Sequence, residues 1–143
     1  MKPQYELRMI VELAGTWRLE IWQVPASATP RLQTAEQVGT IQGSALRIVE
    51  NRLLKRLARE KIVLGSIKPG KIKAWPLDEE TALLLGLLFR ALAPMRNLDR
   101  IREVAEGIES MSREEAGYWL GMVLHRHHPR RVLAALRILL ATS

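Results

Sequence analysis

From Tyr5 to Leu13 apolar and polar residues alternate, which places Tyr5, Leu7, Met9, Val11 and Leu13 on one face of an extended strand. The same period returns from Trp17 to Val24, with Trp17, Leu19 and Ile21 together. Register decides the loop between them. A two-residue loop would set Val11 opposite Arg18 and turn an apolar face to solvent, because a slip of one residue reverses every side chain. A three-residue loop, Ala14-Gly15-Thr16, sets Leu13 opposite Trp17, Val11 opposite Leu19 and Met9 opposite Ile21. It also brings Glu12 against Arg18 on the outer face and gives Gly15 the left-handed position such loops require. Trp22 and Ile10 stay on that outer face, and Trp22 is the candidate contact for a protein partner.

Past the Pro25–Pro30 loop the period lengthens. Leu46, Val49, Leu53 and Leu57 follow helical spacing and predict a helix from Gly43-Ser44 to about Glu60. Ile62-Val63-Leu64 and Ile67 then lead into Lys68-Pro69-Gly70-Lys71, a sequence suited to a type II turn. A short strand near 71–75, carrying Ile72, Ala74 and Trp75, returns to join the hairpin. Residues 78–93 form the element around which the rest must be arranged. Asp78 is a good N-cap, Glu79 and Glu80 suit the positive end of the helix dipole, and Pro94 stops the run. Leu83, Leu84, Leu85, Leu87, Leu88, Phe89 and Leu92 point nearly all round, so this helix must be covered all round. It is too short for a bilayer and is broken by Arg90, so it predicts a core helix and no membrane partner.

Three further helices follow. Asn97 caps one with an apolar stripe of Leu98, Ile101, Val104, Ala105, Ile108 and Met111, its other side reading as a solvated mixture of Arg and Glu. Ser112-Arg113-Glu114-Glu115 is a capping box that opens the next, with Ala116, Trp119, Leu120, Val123 and Leu124 inward. There Gly117 and Gly121, one turn apart, would let another backbone approach closely. Pro129 suits the first turn of a last helix packed by Val132, Leu133, Leu136, Leu139 and Leu140. The expected fold is α+β: a small N-terminal antiparallel sheet, made of hairpin 5–24 and the strand near 71–75, on a mainly helical bundle of about five helices. One domain, 1–143, is expected, with a sheet-forming and basic part at 1–77 and a helical part at 78–143.

Charge changes the picture. The net +7 lies almost wholly in residues 41–77, where nine basic residues face only Glu50 and Glu60. Concentration of that kind suggests a polyanionic partner. Arg52, Lys55, Arg56 and Arg59 recur at i, i+3, i+4 and i+7 as a basic stripe, and Lys68, Lys71 and Lys73 extend it. Such residues neutralise phosphates without reading bases. A solvated helix face is the plainer explanation of the stripe alone; the regional excess brings the two readings level. Few aromatic residues lie near, so a dedicated single-strand stacking platform is not indicated. Arg130 and Arg131 fall in the first turn of the last helix, where a bound phosphate would offset the dipole penalty. The plainer explanation is that both pair with Glu114 or Glu115 or simply extend into water.

Little supports catalysis. Cys is absent, and Asp occurs only at Asp78 and Asp99, both helix-start positions. No phosphate-cradling glycine loop, nucleophile elbow or acidic metal cluster occurs. His125 and His128 are three apart but lack a third ligand, so no metal and no cofactor are expected. The first residues carry no signal-peptide core, which makes the cytoplasm the expected location.

Tyr118-Trp119-Leu120-Gly121-Met122, His125-Arg126, Pro129-Arg130-Arg131-Val132-Leu133 and Ala135-Leu136-Arg137 resemble the signature of an uncharacterised bacterial family of short proteins, known only as a domain of unknown function. Tyr5-Glu6-Leu7-Arg8 and Trp17-Arg18-Leu19-Glu20-Ile21-Trp22 are similar to that family's opening hairpin. The resemblance implies no activity and no site residues. It implies a setting among prokaryotic phage-defence genes, where small helical proteins serve in nucleic-acid-handling assemblies. The leading expectation is a non-enzymatic nucleic-acid-binding accessory subunit with other protein subunits as neighbours. The alternative is a protein–protein adaptor without nucleic-acid contact. A helix-turn-helix regulator ranks third, because the last helix would leave mainly Arg130, Arg137 and small side chains outside.

Overall fold

The computed structural model describes residues 4–24, 35–125, 128, 130–132, 134 and 137, the Val123 side chain excepted. Strands β1 (Gln4–Val11), β2 (Trp17–Val24), β3 (Glu36–Gln42) and β4 (Ile72–Leu77) form one antiparallel sheet in the order β3-β2-β1-β4. Helices α1 (Gly43–Arg59), α2 (Glu79–Leu92), α3 (Leu98–Glu109) and α4 (Arg113–Leu124) stand with it. Helical backbone recurs at Arg130, Arg131, Val132, Ala134 and Arg137, the described part of a fifth helix. The architecture is α+β. No described helix is long and apolar enough to cross a membrane.

The hairpin keeps the expected faces but not the expected register. Val11 pairs with Trp17, Met9 with Leu19 and Leu7 with Ile21, so β1 ends two residues earlier and residues 12–16 form the loop. Glu12 N–H donates to the Thr16 carbonyl and Gly15 N–H to that of Glu12, with Gly15 in the left-handed region. A slip of two preserves side-chain parity, so the core set survives; only Leu13 is expelled, 87% exposed. The expected contact between Glu12 and Arg18 is nonetheless made, as an ion pair.

Strand β3 has no counterpart in the periodicity. It pairs with β2, and a bulge at Ile21/Trp22 breaks the alternation, so that Val38 and Gly39 are both buried. Strand β4 pairs with β1 after a turn in which Lys71 N–H donates to the Lys68 carbonyl and Gly70 has a φ of 82°, as a type II turn needs.

Helix α2 lies at the centre. Asp78 caps it by accepting the Thr81 N–H, and ten of its fourteen residues are buried. It crosses beneath β3 at very short range. A Cβ added to Gly39 would lie 2.9 Å from the Gly86 carbonyl oxygen, and one added to Gly86 would lie 2.4 Å from Val38 Cγ1. Arg90 fastens the far end, Nε donating to the Val38 carbonyl. The close glycines are therefore these two. A Cβ on Gly117 would meet only Leu83, at 3.8 Å, and one on Gly121 nothing within 4 Å among the described residues.

Capping is as the sequence requires. The Asn97 side chain accepts from Asp99 and Arg100, and Ser112 accepts the Glu115 N–H. Leu133, Leu136, Leu139 and Leu140 lie outside the described residues. One apolar cluster runs from Tyr5 to Val132.

Candidate nucleic-acid interface

Helix α1 buries Ala45, Leu46, Val49, Leu53 and Leu57, which fixes where its charged residues stand. The four basic residues of the stripe fall into two kinds. Arg52 is committed: its Nε lies 3.2 Å from Glu109 and its Nη2 3.7 Å from Glu106, tying α1 to α3. The polar side of α3 is thus part bridge and not wholly a solvated face. Arg56 leans inward, its Nη2 donating to the Thr81 hydroxyl over 3.4 Å, while its buried Nε has no partner. Lys55 and Arg59 are exposed, and among the described residues neither enters an ion pair. Arg56 and Arg59 also stand in the last turn, where the helix dipole favours cations.

Between α1, α2 and α3 lies a groove of about 310 Å³. Its floor is Val49, Leu53, Leu84, Leu85, Leu88 and Ile108; its rim is Arg52, Lys55, Arg56, Arg59 and Glu109. Sequence reasoning found the cations and missed the floor, because leucines of α2 that face the groove look the same in sequence as those that face the sheet. It also missed the knot at the top of α2. There the Thr81 hydroxyl donates to Glu60 at 3.1 Å, beside the Arg56 contact and the Asp78 cap. Burial works to raise the Asp78 pKa, but hydrogen bonding with Thr81, whose N–H the carboxylate accepts at 3.0 Å, outweighs it and holds the carboxyl below its usual range.

A folded-state pKa below the unfolded one means stability that is present above about pH 3.9 and lost as pH falls through the folded value. Asp78→Asn keeps a competent cap and removes the charge. At pH 7 the variant should be less stable by about 0.3–1 kcal/mol, the position being exposed and screened. The difference should shrink as pH falls from 7 toward 3 and through the folded-state pKa. Urea unfolding at the two pH values measures it, and an undiminished difference at pH 3 would rule out the charge as its source.

The lysines lie elsewhere. Gly70 N–H donates to the Val11 carbonyl and Val11 N–H to that of Lys71, so the Lys68–Lys71 turn sits beside the β1–β2 loop. Lys73 stands on the edge strand, its Nζ 5.1 Å from the Trp75 ring centre. Strand β4 separates this turn from the Thr81 knot that holds Arg56, a length of about 20 Å at ordinary strand rise. The structure therefore does not draw the lysines and the α1 stripe into one compact cluster.

Arg130 and Arg131 are exposed at the start of the last helix, and among the described residues neither forms an ion pair. His128 caps that helix, its Nδ1 accepting the Arg130 N–H at 3.2 Å and its carbonyl those of Arg131 and Val132. Among the described residues no three His, Cys, Asp or Glu side chains gather as a metal would need. Trp22 is half-buried on the outer sheet face: Arg8 lies 4.6 Å over its ring and its indole N–H donates to Glu20 at 3.0 Å. Its polar edge and one ring face are thus satisfied within the sheet.

No curated protein and no solved structure matches this chain. A family match covers residues 5–142, nearly the whole length, and takes in both the sheet and the helices that enclose the groove. The chain belongs to the family described as Domain of unknown function (DUF7680).

Proposed function

We propose that this protein is a non-enzymatic accessory subunit that binds a nucleic-acid backbone through α1, working in the cytoplasm within a prokaryotic complex. Antiviral defence is the setting that the sequence resemblance suggests. The observation that supports the reading is the pair Lys55 and Arg59, exposed one helical turn apart on a groove rim that also holds Arg56. Cations so placed neutralise phosphates and release counterions.

The informative variant is Lys55→Gln with Arg59→Gln. Arg52 and Arg56 reach side chains of other helices, so replacing them would mix stability with binding. On duplex DNA the slope of log affinity against log salt should fall by about one unit for each phosphate no longer neutralised, hence about two for the pair. Affinity should weaken similarly for unrelated sequences, since cations that meet phosphates position a protein without specifying bases. An unchanged slope and affinity would refute the α1 interface. Failure of the unaltered protein to bind any nucleic acid at low salt would favour the adaptor reading, for which exposed Tyr118 and Ile72 offer apolar contact.

A further inference from the structure

The groove beside the stripe has no role in backbone binding by a duplex. A duplex presents phosphates and base edges, whereas this groove is a small apolar slot set behind a cationic rim. Building on the nucleic-acid reading, we propose that the groove between α1, α2 and α3 receives one unpaired base, so that the polyanion bound here is a single strand.

Three features carry the assignment. The first is size: about 310 Å³ lies at the small end of ligand pockets, suited to one flat ring system and not to a chain of them. The second is the floor. Leu84 is half-buried and, backed by the buried Leu85, Leu88 and Ile108, offers the apolar contact on which an extruded base can stack in place of an aromatic ring. The third is Arg56. A guanidinium has five N–H donors; here Nε is buried away from the groove, Nη2 makes one long contact with Thr81, and among the described residues Nη1 makes none. The contact holds the side chain at the groove wall and leaves donors to spare. Every base carries edge acceptors that such donors can meet.

The rim sets polarity. The Arg52 charge is more than answered by Glu109 and Glu106, so the α3 side offers phosphates no net positive charge. Lys55 and Arg59 keep the α1 side positive. A base entering the slot therefore carries its flanking phosphates along α1. A duplex would have to unpair and unstack a base to use the slot, which sets it at a disadvantage.

The test compares three labelled probes on the full chain at fixed low salt: a single strand of about twelve nucleotides, the same strand without bases, and the matching duplex. The single strand should bind roughly five- to hundred-fold more tightly than either of the others, the range expected for one stacked base. Leu84→Gln, at a half-buried position where the fold tolerates a polar end, should erase that preference and leave the base-free strand within about three-fold of its affinity for the unaltered protein. Equal binding of all three probes to the unaltered protein overturns the slot and leaves backbone binding standing. Binding of none of them overturns both. The comparison among probes needs no variant, so it decides the question even if Leu84→Gln does not fold.

Discussion

Phe89→Ala should lower the free energy of unfolding by about 3–5 kcal/mol, the range for emptying a buried aromatic site. Phe89 is the only phenylalanine in the chain and is 0% exposed. It sits where α2 passes beneath β3, close enough that a Cβ on Gly39 would come within 3.2 Å of its own Cβ. Its neighbours cannot collapse into the void easily, because the glycine contact already sets the spacing of the two elements. The midpoint of thermal unfolding should drop by about 10–17 °C for a chain of this size. Urea unfolding should show a lower midpoint with an unchanged slope. A loss under about 1.5 kcal/mol would mean that the ring is not enclosed as described.

Gly39→Ala should destabilise by about 2–3 kcal/mol, through crowding and not through a void. The new methyl group would meet the Gly86 carbonyl oxygen at 2.9 Å, and that atom belongs to helix backbone. Relief requires the whole helix to shift, which would strain the Arg90 bond to the Val38 carbonyl. Gly86→Ala is a less clear test, since helix propensity would recover about 1 kcal/mol of its cost. Gly65→Ala is the control: nothing lies within 4 Å, so it should be neutral or gain about 0.4–1 kcal/mol. If Gly39→Ala behaves like Gly65→Ala, the close crossing of α2 and β3 is wrong.

These two sites show what the sequence made legible and what it hid. Helix α2 stood out because its leucines leave no polar face, and its Asp78 cap lies where the signals placed it. The hairpin faces were readable from parity, whereas its register was not, because loops of three and five residues keep the same parity. Strand β3 was invisible. Val38 and Ile41 stand three apart, a helical spacing, and only the bulge in β3, where Val38 is the extra residue between Gln37 and Gly39, makes that compatible with a strand. At the candidate interface, composition marked the cations, but partners for Arg52 come from α3, more than fifty residues on. Which arginine is tied and which is free is a tertiary fact, and no period along α1 contains it.

The strand order carries a consequence for synthesis. Strand β1 gains β2 almost at once, across a five-residue loop. Its other edge waits for β4, and sixty residues separate Val11 from Ile72. At translation rates of roughly 5–20 residues per second that interval lasts about 3–12 seconds. During it one side of β1 offers unpaired N–H and C=O groups, beside a sheet face whose α2 cover has not been made. The helix that encloses the core and the strand that closes the edge arrive together, in one segment, late. For this chain the hazardous moment is therefore a matter of timing, set by the order of elements along the chain and ended when β4 and the α2 helix behind it have joined the sheet.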